Sequence, residues 1–487
     1  MTSAFDPASL SLASGHFIAG RLVEDRGEIA VDAPSDGRRL TLVPRGGEGV
    51  VANAVEAARR ALARSGWGEC RPRDRVKALH AWADLIANDS ETLACLEAVS
   101  STRPHAHVPG HDIAATTEQI RFFAEFADKE GGLLAPTAAG QAGFVMDQPY
   151  GVVGAIAPWN FPINMAGWKV APALAAGNAV VLKPSEMTPF SSLRLAELAV
   201  AAGIPAGLFN VVVGDGAVTG AALCAHPGVD KISFTGSTRA GGQIMENVAR
   251  SGMKPMTLEL GGKSPMVVFA DADIDLAVAC LEKGIIPNAG QFCVAGSRMV
   301  VAREIAAEVM ERLIARFGVH VPTPTWAKDA GLSPIISERQ LGRLDSIVAA
   351  AVASGATTAC GGQRFDCAGS YYRPTLLTDV RPDNPAVVEE IFGPVATFQV
   401  FDSEDEAEQL ARHPTYGLCA GLFTRDLSRA LRFARRLETG TVWINRYNRS
   451  GDHILPTGGW KQSGMGKDLG REAYQSNRRT KAVLIDL

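Results

Sequence analysis

The sequence predicts an α/β protein with two successive units of mainly parallel sheet. Short apolar strands alternate with helical stretches from Val152 to a helix that begins near Thr238. A second alternating run starts near Gly262 and continues to a strand at 440–445. Such alternation is typical of a doubly wound sheet, whose ligands lie at the carboxyl ends of its strands. We therefore expect the functional residues at those ends.

The remaining elements follow in chain order. Residues 1 to about 48 form an entry segment of short strands, and residues 50 to about 130 are helical because apolar side chains recur at helix spacing. A glycine- and alanine-rich stretch at 131–149 is typical of a hairpin, and the apolar tail at 478–487 suits an added strand. The two alternating runs place further strands at 152–156, 179–182, 209–213, 231–234, 266–269 and 298–301.

Composition limits the class of protein. The 487-residue chain is long enough for two or three domains, and its 46% hydrophobic and 21% charged residues are ordinary for a soluble globular protein. The formal net charge of -4 gives no electrostatic reason to expect a nucleic-acid partner. The amino terminus lacks a secretory signal and no stretch is apolar enough to span a membrane, so we expect a cytoplasmic protein with no membrane partner.

The pattern of cysteines and histidines predicts neither a disulfide scaffold nor a metal site. The eight cysteines are widely spaced, and neither Cys-x-x-Cys nor His-Glu-x-x-His occurs. His105, His107 and His111 cluster on a bend that contains proline and glycine. We interpret this bend as a solvated loop, because no nearby cysteine or carboxylate completes a set of ligands.

A charged motif directly follows one of the predicted strands. Lys183, Ser185 and Glu186 lie where the adenosine ribose of a dinucleotide would bind. The lysine and the carboxylate can hydrogen-bond ribose hydroxyls, and the carboxylate would repel a 2′-phosphate, which favours NAD over NADP. A solvated charge pair is the alternative interpretation of this motif on its own.

A second candidate cofactor motif connects a strand to a helix. Gly236, Ser237 and Gly241 lie at this turn, where backbone N–H groups can meet a pyrophosphate. The motif is not the Gly-x-Gly-x-x-Gly fingerprint, so it is a weak signal when taken alone.

The candidate chemistry involves a carboxylate and a thiol, each set among glycines. Glu259 could serve as a base, and Cys293 as a nucleophile if a positive field or a neighbouring nicotinamide favoured its thiolate. Asn160 lies on a turn between Pro158 and Pro162, where its amide could donate to an oxyanion. A turn-forming asparagine that satisfies its own backbone is the simpler interpretation of this residue alone.

Seven motifs occur in one order along nearly the whole chain, and together they resemble the NAD(P)-dependent aldehyde dehydrogenase superfamily. The motifs are Pro158-Trp159-Asn160-Phe161-Pro162, Lys183-Pro184-Ser185-Glu186, Phe234-Thr235-Gly236-Ser237, Glu259-Leu260-Gly261-Gly262-Lys263, Gly290-Gln291-Phe292-Cys293, Glu390-Ile391-Phe392-Gly393-Pro394 and Lys461-Gln462-Ser463-Gly464-Met465-Gly466.

The resemblance implies oxidation of a small-molecule aldehyde through a covalent thioester. Cys293 would attack the aldehyde carbon, while the Asn160 amide and the Cys293 N–H would hold the oxyanion. Hydride would pass to nicotinamide, and Glu259 would then activate water to hydrolyse the thioester. Lys169 matches a family lysine near the proton path.

The resemblance also implies NAD as the cofactor, with NADP as the less favoured alternative. In the family, three pairs of positions contact the adenosine ribose, the pyrophosphate, and the nicotinamide with its ribose. In that order they are Lys183 and Glu186, Trp159 and Ser237, and Glu390 and Phe392.

The implied fold is aldehyde dehydrogenase-like, with a Rossmann-type cofactor domain, an α/β catalytic domain and a small β oligomerisation arm. We place the NAD-binding domain at 1–128 and 150–260, the catalytic domain at 261–465, and the arm at 129–149 and 466–487. Members of the family are usually homodimers or homotetramers, so we expect one of these states.

The substrate funnel is expected by position relative to the motifs. Trp168 and Phe292 favour an aldehyde with an apolar body, whereas Arg446 and Arg449 suggest an ω-semialdehyde. Arginines that face solvent or a partner subunit are the alternative. The expected funnel residues are Met165, Trp168, Phe292, Val294, Arg446, Arg449 and Thr457.

Some residues depart from the family pattern. Thr457 replaces an aromatic residue, and Asp468 replaces a glutamate sometimes proposed in proton relay, so we leave Asp468 out of the catalytic set. The presence of Glu259 favours a hydrolytic enzyme over one that acylates coenzyme A. A cysteine hydrolase is disfavoured because no histidine lies in any motif, and a silent protein because Cys293 and Asn160 are intact.

Overall fold

The computed structural model of the chain describes residues 2–448 and 453–487. Its helices are α1 Glu48–Ser65, α2 Pro72–Asn88, α3 Ser90–Ser100, α4 Ala114–Phe126, α5 Pro162–Ala175, α6 Phe190–Ala201, α7 Ala221–Ala225, α8 Thr238–Ser251, α9 Ile274–Lys283, α10 Arg303–Gly318, α11 Glu338–Ala353, α12 Pro385–Val388, α13 Glu404–Ala411, α14 Leu427–Arg436 and α15 Gly470–Gln475.

The strands begin with those of the amino-terminal half: β1 His16–Ile18, β2 Arg21–Val23, β3 Gly27–Asp32, β4 Arg39–Pro44, β5 Leu133–Ala135, β6 Gln141–Pro149, β7 Val152–Ile156, β8 Ala179–Lys183, β9 Phe209–Val211, β10 Lys231–Thr235 and β11 Met256–Glu259. Those that follow are β12 Pro265–Val268, β13 Arg298–Ala302, β14 Thr357–Cys360, β15 Thr375–Thr378, β16 Val395–Phe401, β17 Tyr416–Gly417, β18 Cys419–Phe423, β19 Thr441–Ile444, β20 Trp460–Lys461, β21 Gly464–Met465 and β22 Arg478–Asp486.

The first sheet has eight strands in the order β2-β1-β9-β8-β7-β10-β11-β21. The five strands from β9 to β11 run parallel. The chain enters this parallel block at β7, goes outward through β8 and β9, and then returns to add β10 and β11 on the other side. The strand order therefore reverses between β7 and β10, which is where ligands bind in open α/β sheets.

The second sheet has seven strands in the order β14-β15-β16-β13-β12-β18-β19, all parallel except the edge strand β14. A third, antiparallel sheet joins β22 to β6 and β5, so the chain terminus pairs with the predicted hairpin. These three sheets confirm the predicted α/β class and both the hairpin and the terminal strand.

Burial explains why these segments are strands. Every residue of β7, β8, β12 and β13 is buried, as expected for strands covered by helices on both faces. Two apolar cores result, one around each large sheet, and α15 near the chain end packs into the first core through Ala473 and Tyr474. The boundaries of the three predicted domains stay predictions.

Within the described ranges, no helix is both long and apolar enough to cross a lipid bilayer.

Candidate active site

Four strand ends of the first sheet meet at one edge. The register pairs Ile156 with Lys183 and with Phe234, and pairs Thr235 with Glu259. The carboxyl ends of β7, β8, β10 and β11 are therefore level with one another. The candidate site residues lie at this edge or directly after it: the turn with Trp159 and Asn160, the Lys183 motif, Ser237 and Glu259.

The nucleophile candidate comes to the same edge from the second sheet. A Cβ added to Gly262 would lie 2.6 Å from the Cys293 carbonyl oxygen, so the two backbones are in direct contact. Glu259 is the last residue of β11, and Gly262 follows it by three residues. Glu259 itself is 6% exposed, and its Oε1 lies 2.8 Å from where a Cβ on Gly458 would be. The strand that ends in Glu259 and the loop of Cys293 thus adjoin.

The loop before Cys293 adopts an unusual backbone. Asn288 and Ala289 have left-handed φ angles of 51° and 50°, which are costly for residues other than glycine. The fully buried Gln291 side chain holds this turn by donating to the carbonyl oxygens of Asn288 and Pro334, both at 2.9 Å. It also accepts a 2.9 Å hydrogen bond from the N–H of Ile336. The strain is therefore offset by three hydrogen bonds of the Gln291 side-chain amide.

Asn160 is bonded to that loop. Its Nδ2 donates to the Gln291 carbonyl oxygen at 3.0 Å, and the Asn288 amide donates to the Asn160 carbonyl oxygen at 3.1 Å. Asn160 is 6% exposed. Since a primary amide carries two N–H groups, one remains to donate to a substrate oxygen. The structure therefore brings Asn160 and the Cys293 loop together.

Tyr447 supports the other side of the nucleophile and was not predicted as a site residue. Its hydroxyl donates to the carbonyl oxygen of Val294 at 2.7 Å, one residue beyond Cys293. Burial raises the pKa of Tyr447 well above its usual value, so the hydroxyl stays protonated and remains a donor. Tyr447 follows Arg446, one of the expected funnel residues, but nothing local in the sequence signals a bond to the Val294 backbone.

Lys169 lies in a buried polar network. Its Nζ donates to the Ser233 hydroxyl at 3.1 Å and lies 3.4 Å from Asp468 Oδ2. Lys169 is 2% exposed and Asp468 5% exposed. Asp468 is therefore in contact with the predicted proton-path lysine, although we left it out of the catalytic set. Its backbone pairs with that of Thr457, which is 3% exposed.

A second lysine extends this network. Lys231 donates to the Thr257 hydroxyl at 2.8 Å, and Thr257 precedes Glu259 by two residues on β11. Burial lowers the pKa of Lys231 to about 8, while the charge of Asp468 opposes that shift. The buried cations and Asp468 thus form one electrostatically connected group beneath the strand end that carries Glu259.

The candidate ribose-binding motif forms an ion pair. Lys183, which is 4% exposed, donates to Glu186 Oε2 at 3.1 Å. Ser185 between them is buried, whereas the Glu186 side chain is 28% exposed. A carboxylate held by one lysine still has lone pairs for ribose hydroxyls.

The turn into α8 supplies the candidate pyrophosphate site. Ser237 caps the helix by accepting from the Ala240 N–H at 3.3 Å, and the N–H of Gly236 donates to the Glu259 carbonyl oxygen at 3.0 Å. Gly241 is buried against Leu260, where an added Cβ would lie 2.6 Å from a leucine methyl carbon. Gly241 therefore serves close packing of α8 on the strand end, in addition to any role in relaxing the turn.

Glu390 and Phe392 lie beside the contact between Gly262 and Cys293. Glu390 Oε1 accepts from the Gly262 N–H at 3.0 Å. Burial raises the pKa of Glu390 to about 7, although that N–H and Lys263 favour the ionised form. Phe392 meets Trp159 edge-on with ring centroids 5.4 Å apart. The predicted nicotinamide residues thus share a small pocket with Gly262 and Phe292.

The expected funnel residues have different surroundings. Met165 and Trp168 lie one turn apart on α5, and Phe292 and Val294 flank Cys293 and are buried. Arg446 donates to the Asn448 carbonyl oxygen at 3.4 Å. Burial raises the pKa of Cys280 on α9, and the positive charge of Arg446 opposes that rise. Arg449 lies outside the described residues.

Glu97 is a buried acid that sequence reasoning missed. It is 1% exposed and lies on α3, close to the start of α5, which begins two residues after Asn160. Burial raises the pKa of Glu97 to about 8, while the Ser191 hydroxyl and the Ile163 N–H oppose the shift. Burial therefore favours the neutral form of Glu97.

Comparison with known proteins adds independent findings. The model of a family described as "Aldehyde dehydrogenase family" matches residues 22–483. An aldehyde dehydrogenase of Aspergillus niger is 40% identical over 92% of this chain and 90% of its own length. Human retinaldehyde dehydrogenase 3 is 40% identical over 93% of this chain and 89% of its own length. A solved NAD+ complex of an aldehyde dehydrogenase from Bacillus cereus is 36% identical, covers 100% of both chains and superposes with a TM-score of 0.96.

We expect Gly262→Ala to disrupt the contact between the strand end and the nucleophile loop. Its Cβ would meet the Cys293 carbonyl oxygen at 2.6 Å, which demands a backbone shift costing about 1–3 kcal/mol. A lowered melting temperature and an altered rate of Cys293 alkylation by iodoacetamide, followed by peptide mass spectrometry, would show this. The matched control is Gly242→Ala on α8, where no atom lies within 4 Å of the new Cβ. Identical behaviour of the two variants would contradict the expected clash.

We also expect Glu97 to make stability fall as pH rises. Its folded pKa of about 8 exceeds the ordinary value of 4.5, so between these values unfolding releases a proton. The contribution of Glu97 to the free energy of unfolding is fully present below pH 4.5 and is lost as the pH rises through about 8. The loss is at most about 1.4 kcal/mol per pH unit. Wild type should therefore melt progressively lower than Glu97→Gln between about pH 5 and 8. The control Glu125→Gln, at an exposed position of α4, should show a constant difference from wild type; a constant difference for Glu97→Gln too would refute the assignment.

Proposed function

Because the chain belongs to the aldehyde dehydrogenase family, we propose that it oxidises an aldehyde to a carboxylic acid through a thioester on Cys293, with NAD as the hydride acceptor. The observation that carries this proposal is the contact between Gly262 and the Cys293 carbonyl oxygen. It joins the strand that ends in a buried carboxylate, Glu259, to the loop of a partly exposed thiol.

In the first step the Cys293 sulfur attacks as the thiolate and bonds to the aldehyde carbon, while the electron pair of the C=O π bond moves to the oxygen, which gains the negative charge. The remaining N–H of the Asn160 amide and the N–H of Cys293 donate to this oxygen. A donor of this kind is worth roughly 3 kcal/mol of transition-state stabilisation. The hydrogen bonds of Gln291 and Tyr447 fix the loop, so these donors are in place before the charge develops.

The residues at the strand ends are suited to a dinucleotide. The start of α8 at the switch between β7 and β10 presents backbone N–H groups to a pyrophosphate, and the Lys183–Glu186 pair can take ribose hydroxyls. Trp159, Phe392 and Glu390 would hold the nicotinamide end. When bound, NAD supplies the hydride acceptor that turns the thiohemiacetal into a thioester.

Glu259 then takes a proton from water, which attacks the thioester and releases the carboxylic acid and the Cys293 thiolate. The proton leaves through the network beneath β11, where Lys169 contacts Asp468. We include Asp468 in this route because its carboxylate lies 3.4 Å from Lys169 Nζ, despite being shorter than the family glutamate.

We propose NAD rather than NADP because the Glu186 carboxylate would face a 2′-phosphate. The B. cereus relative that superposes on this chain was solved with NAD+, which agrees with this choice. For the substrate we propose an aldehyde with an apolar body, because Met165, Trp168 and Phe292, which the sequence predicts to line the funnel, have apolar side chains.

We further propose that the antiparallel sheet of β5, β6 and β22 forms a contact between copies of the chain. Three of its leucines expose apolar surface that a monomer would leave in water: Leu133 at 63%, Leu134 at 76% and Leu484 at 65%. The sheet also has edge strands at β5 and β22 that a partner can cover.

NADH formation from NAD and a neutral aldehyde tests the reaction. Cys293→Ala should reduce turnover on the order of 10³-fold or more, because it removes the nucleophile. Glu259→Gln should release about one NADH per subunit in a burst and then turn over 10²–10⁴-fold more slowly than wild type, roughly the worth of a general base. Cys367→Ala, at an exposed position, is the matched control and should retain wild-type turnover.

Two results would contradict the proposal. Wild-type turnover by Cys293→Ala would exclude the thioester, and turnover that depends on coenzyme A would identify an acylating enzyme. The same assay with NADP in place of NAD should give a lower kcat/KM. Equal values for the two cofactors would show that the Glu186 carboxylate does not select against a 2′-phosphate.

The arm proposal is tested by the solution mass. The double variant Leu134→Lys, Leu484→Lys should have a lower mass by light scattering after size exclusion than wild type. The matched control is Leu427→Lys on α14, because that leucine is 69% exposed but lies outside the third sheet. A wild type that is monomeric, or a double variant with unchanged mass, would refute the arm contact.

A further inference from the structure

Three side chains able to bind a metal meet outside the active site. Glu91 and Cys95 lie four residues apart on α3, and His105 follows on the loop after that helix. The expectation that no cysteine or carboxylate lies near the histidine cluster is therefore wrong for His105. His107 and His111 are exposed and contact each other, with ring centroids 5.7 Å apart.

The three ligand atoms are close enough to one another to surround a single ion, and two of their distances are near the edges of a tetrahedral site. His105 Nε2 lies 3.1 Å and Cys95 Sγ 3.7 Å from Glu91 Oε1, and all three atoms lie within 4.8 Å of one another. Around a tetrahedral Zn²⁺ with bonds of about 2.0–2.3 Å, neighbouring ligand atoms are about 3.3–3.6 Å apart. An ion could therefore enter with shifts of side chains alone.

The fold holds the three ligands in place. Residues at i and i+4 share one face of a helix, so Glu91 and Cys95 point the same way. The backbone N–H of His105 donates to the Thr325 carbonyl oxygen at 2.7 Å, and the Phe5 ring lies 5.5 Å from the imidazole. Cys95 is 7% exposed, whereas the Glu91 side chain is 74% exposed and leaves the site open to entering ions.

We propose that Glu91, Cys95 and His105 bind a divalent cation of the zinc class, with water as the fourth ligand. Thiolate and imidazole together select Zn²⁺ and chemically similar ions over Mg²⁺ or Ca²⁺, which prefer oxygen ligands. The thiol proton is released to solvent as the sulfur–metal bond forms. The ion would tie α3 to the loop that reaches Thr325 and Phe5, so its role is structural.

A hydrogen-bonded histidine–glutamate pair beside an inert thiol is the competing explanation, and Co²⁺ distinguishes the two. The protein is made without an affinity tag in a Cys293→Ala background, which removes the active-site thiol, and is freed of metal with a chelator. Titration with Co²⁺ should then produce a thiolate-to-metal charge-transfer band that saturates at one ion per subunit. Added Zn²⁺ should abolish the band by displacing Co²⁺.

The variants assign the band to this site. Cys95→Ser and His105→Ala should lose it, and Glu91→Gln should weaken Co²⁺ binding at least tenfold. The matched control Cys367→Ser, at an exposed cysteine, should keep the band unchanged. Glu91→Gln keeps the test decisive if the buried Cys95→Ser variant fails to fold, because Glu91 is on the surface.

The proposal fails if the parent shows no charge-transfer band, or if the band and its affinity survive Cys95→Ser or Glu91→Gln. It also fails if Cys367→Ser removes the band. Zn²⁺ should raise the melting temperature of the parent and leave that of His105→Ala unchanged, so an equal rise in both would also overturn it.

Discussion

The site depends on one close approach of two backbones, at Gly262 and Cys293. No side chain fits between them, because a Cβ on residue 262 would lie 2.6 Å from the Cys293 carbonyl oxygen. The N–H of Gly262 also donates to Glu390 Oε1 at 3.0 Å. The end of β11 therefore fixes the nucleophile loop on one side and a candidate nicotinamide residue on the other. A shift of this strand end would move both together.

The backbone of the nucleophile loop is strained at Asn288 and Ala289, and hydrogen bonds to the loop offset the free-energy cost of that strain. Asn288 tolerates the left-handed region because its short polar side chain can bond locally, but Ala289 has no such compensation. Such a residue costs of order 1–3 kcal/mol, and it persists only where the surroundings determine the conformation. Here the buried amide of Gln291 and the hydroxyl of Tyr447 hold the loop in this conformation by hydrogen bonds on either side of Cys293. Rigidity of this loop is what lets backbone donors act on a developing charge.

Much of the fold could be predicted because its signals are local. The strand ends at Lys183 and Thr235 lie one residue beyond the predicted strands at 179–182 and 231–234, and parallel topology brings those ends to one edge. The strand β11, which ends in Glu259, was not predicted. The supports of the site could not be predicted in this way. Tyr447 bonds to a carbonyl 153 positions away in the chain, and a one-residue change of register would lose that bond.

The same limit explains two residues whose surroundings were misjudged. Asp468 was set aside because its side chain is short, yet backbone pairing with Thr457 carries it to 3.4 Å from Lys169. His105 was grouped with its sequence neighbours, whereas its hydrogen-bond partner Glu91 is 14 positions earlier, one turn of helix from Cys95. Side-chain length and sequence proximity decide contacts only once the backbone course is known.

Two ionisable groups with shifted pKa values, Lys263 and Glu390, lie beside the contact between Gly262 and Cys293. Lys263 is 2% exposed, and burial lowers its pKa to about 7 while raising that of Glu390 to about 7. Each charge favours the other, but desolvation outweighs that attraction for both. Burying such groups costs free energy unless they are paired, and groups with perturbed pKa values are common at functional sites, so their position beside Cys293 agrees with the proposed chemistry. Because Glu390 accepts a hydrogen bond from Gly262, the charge of its carboxylate contributes to the field beside the nucleophile.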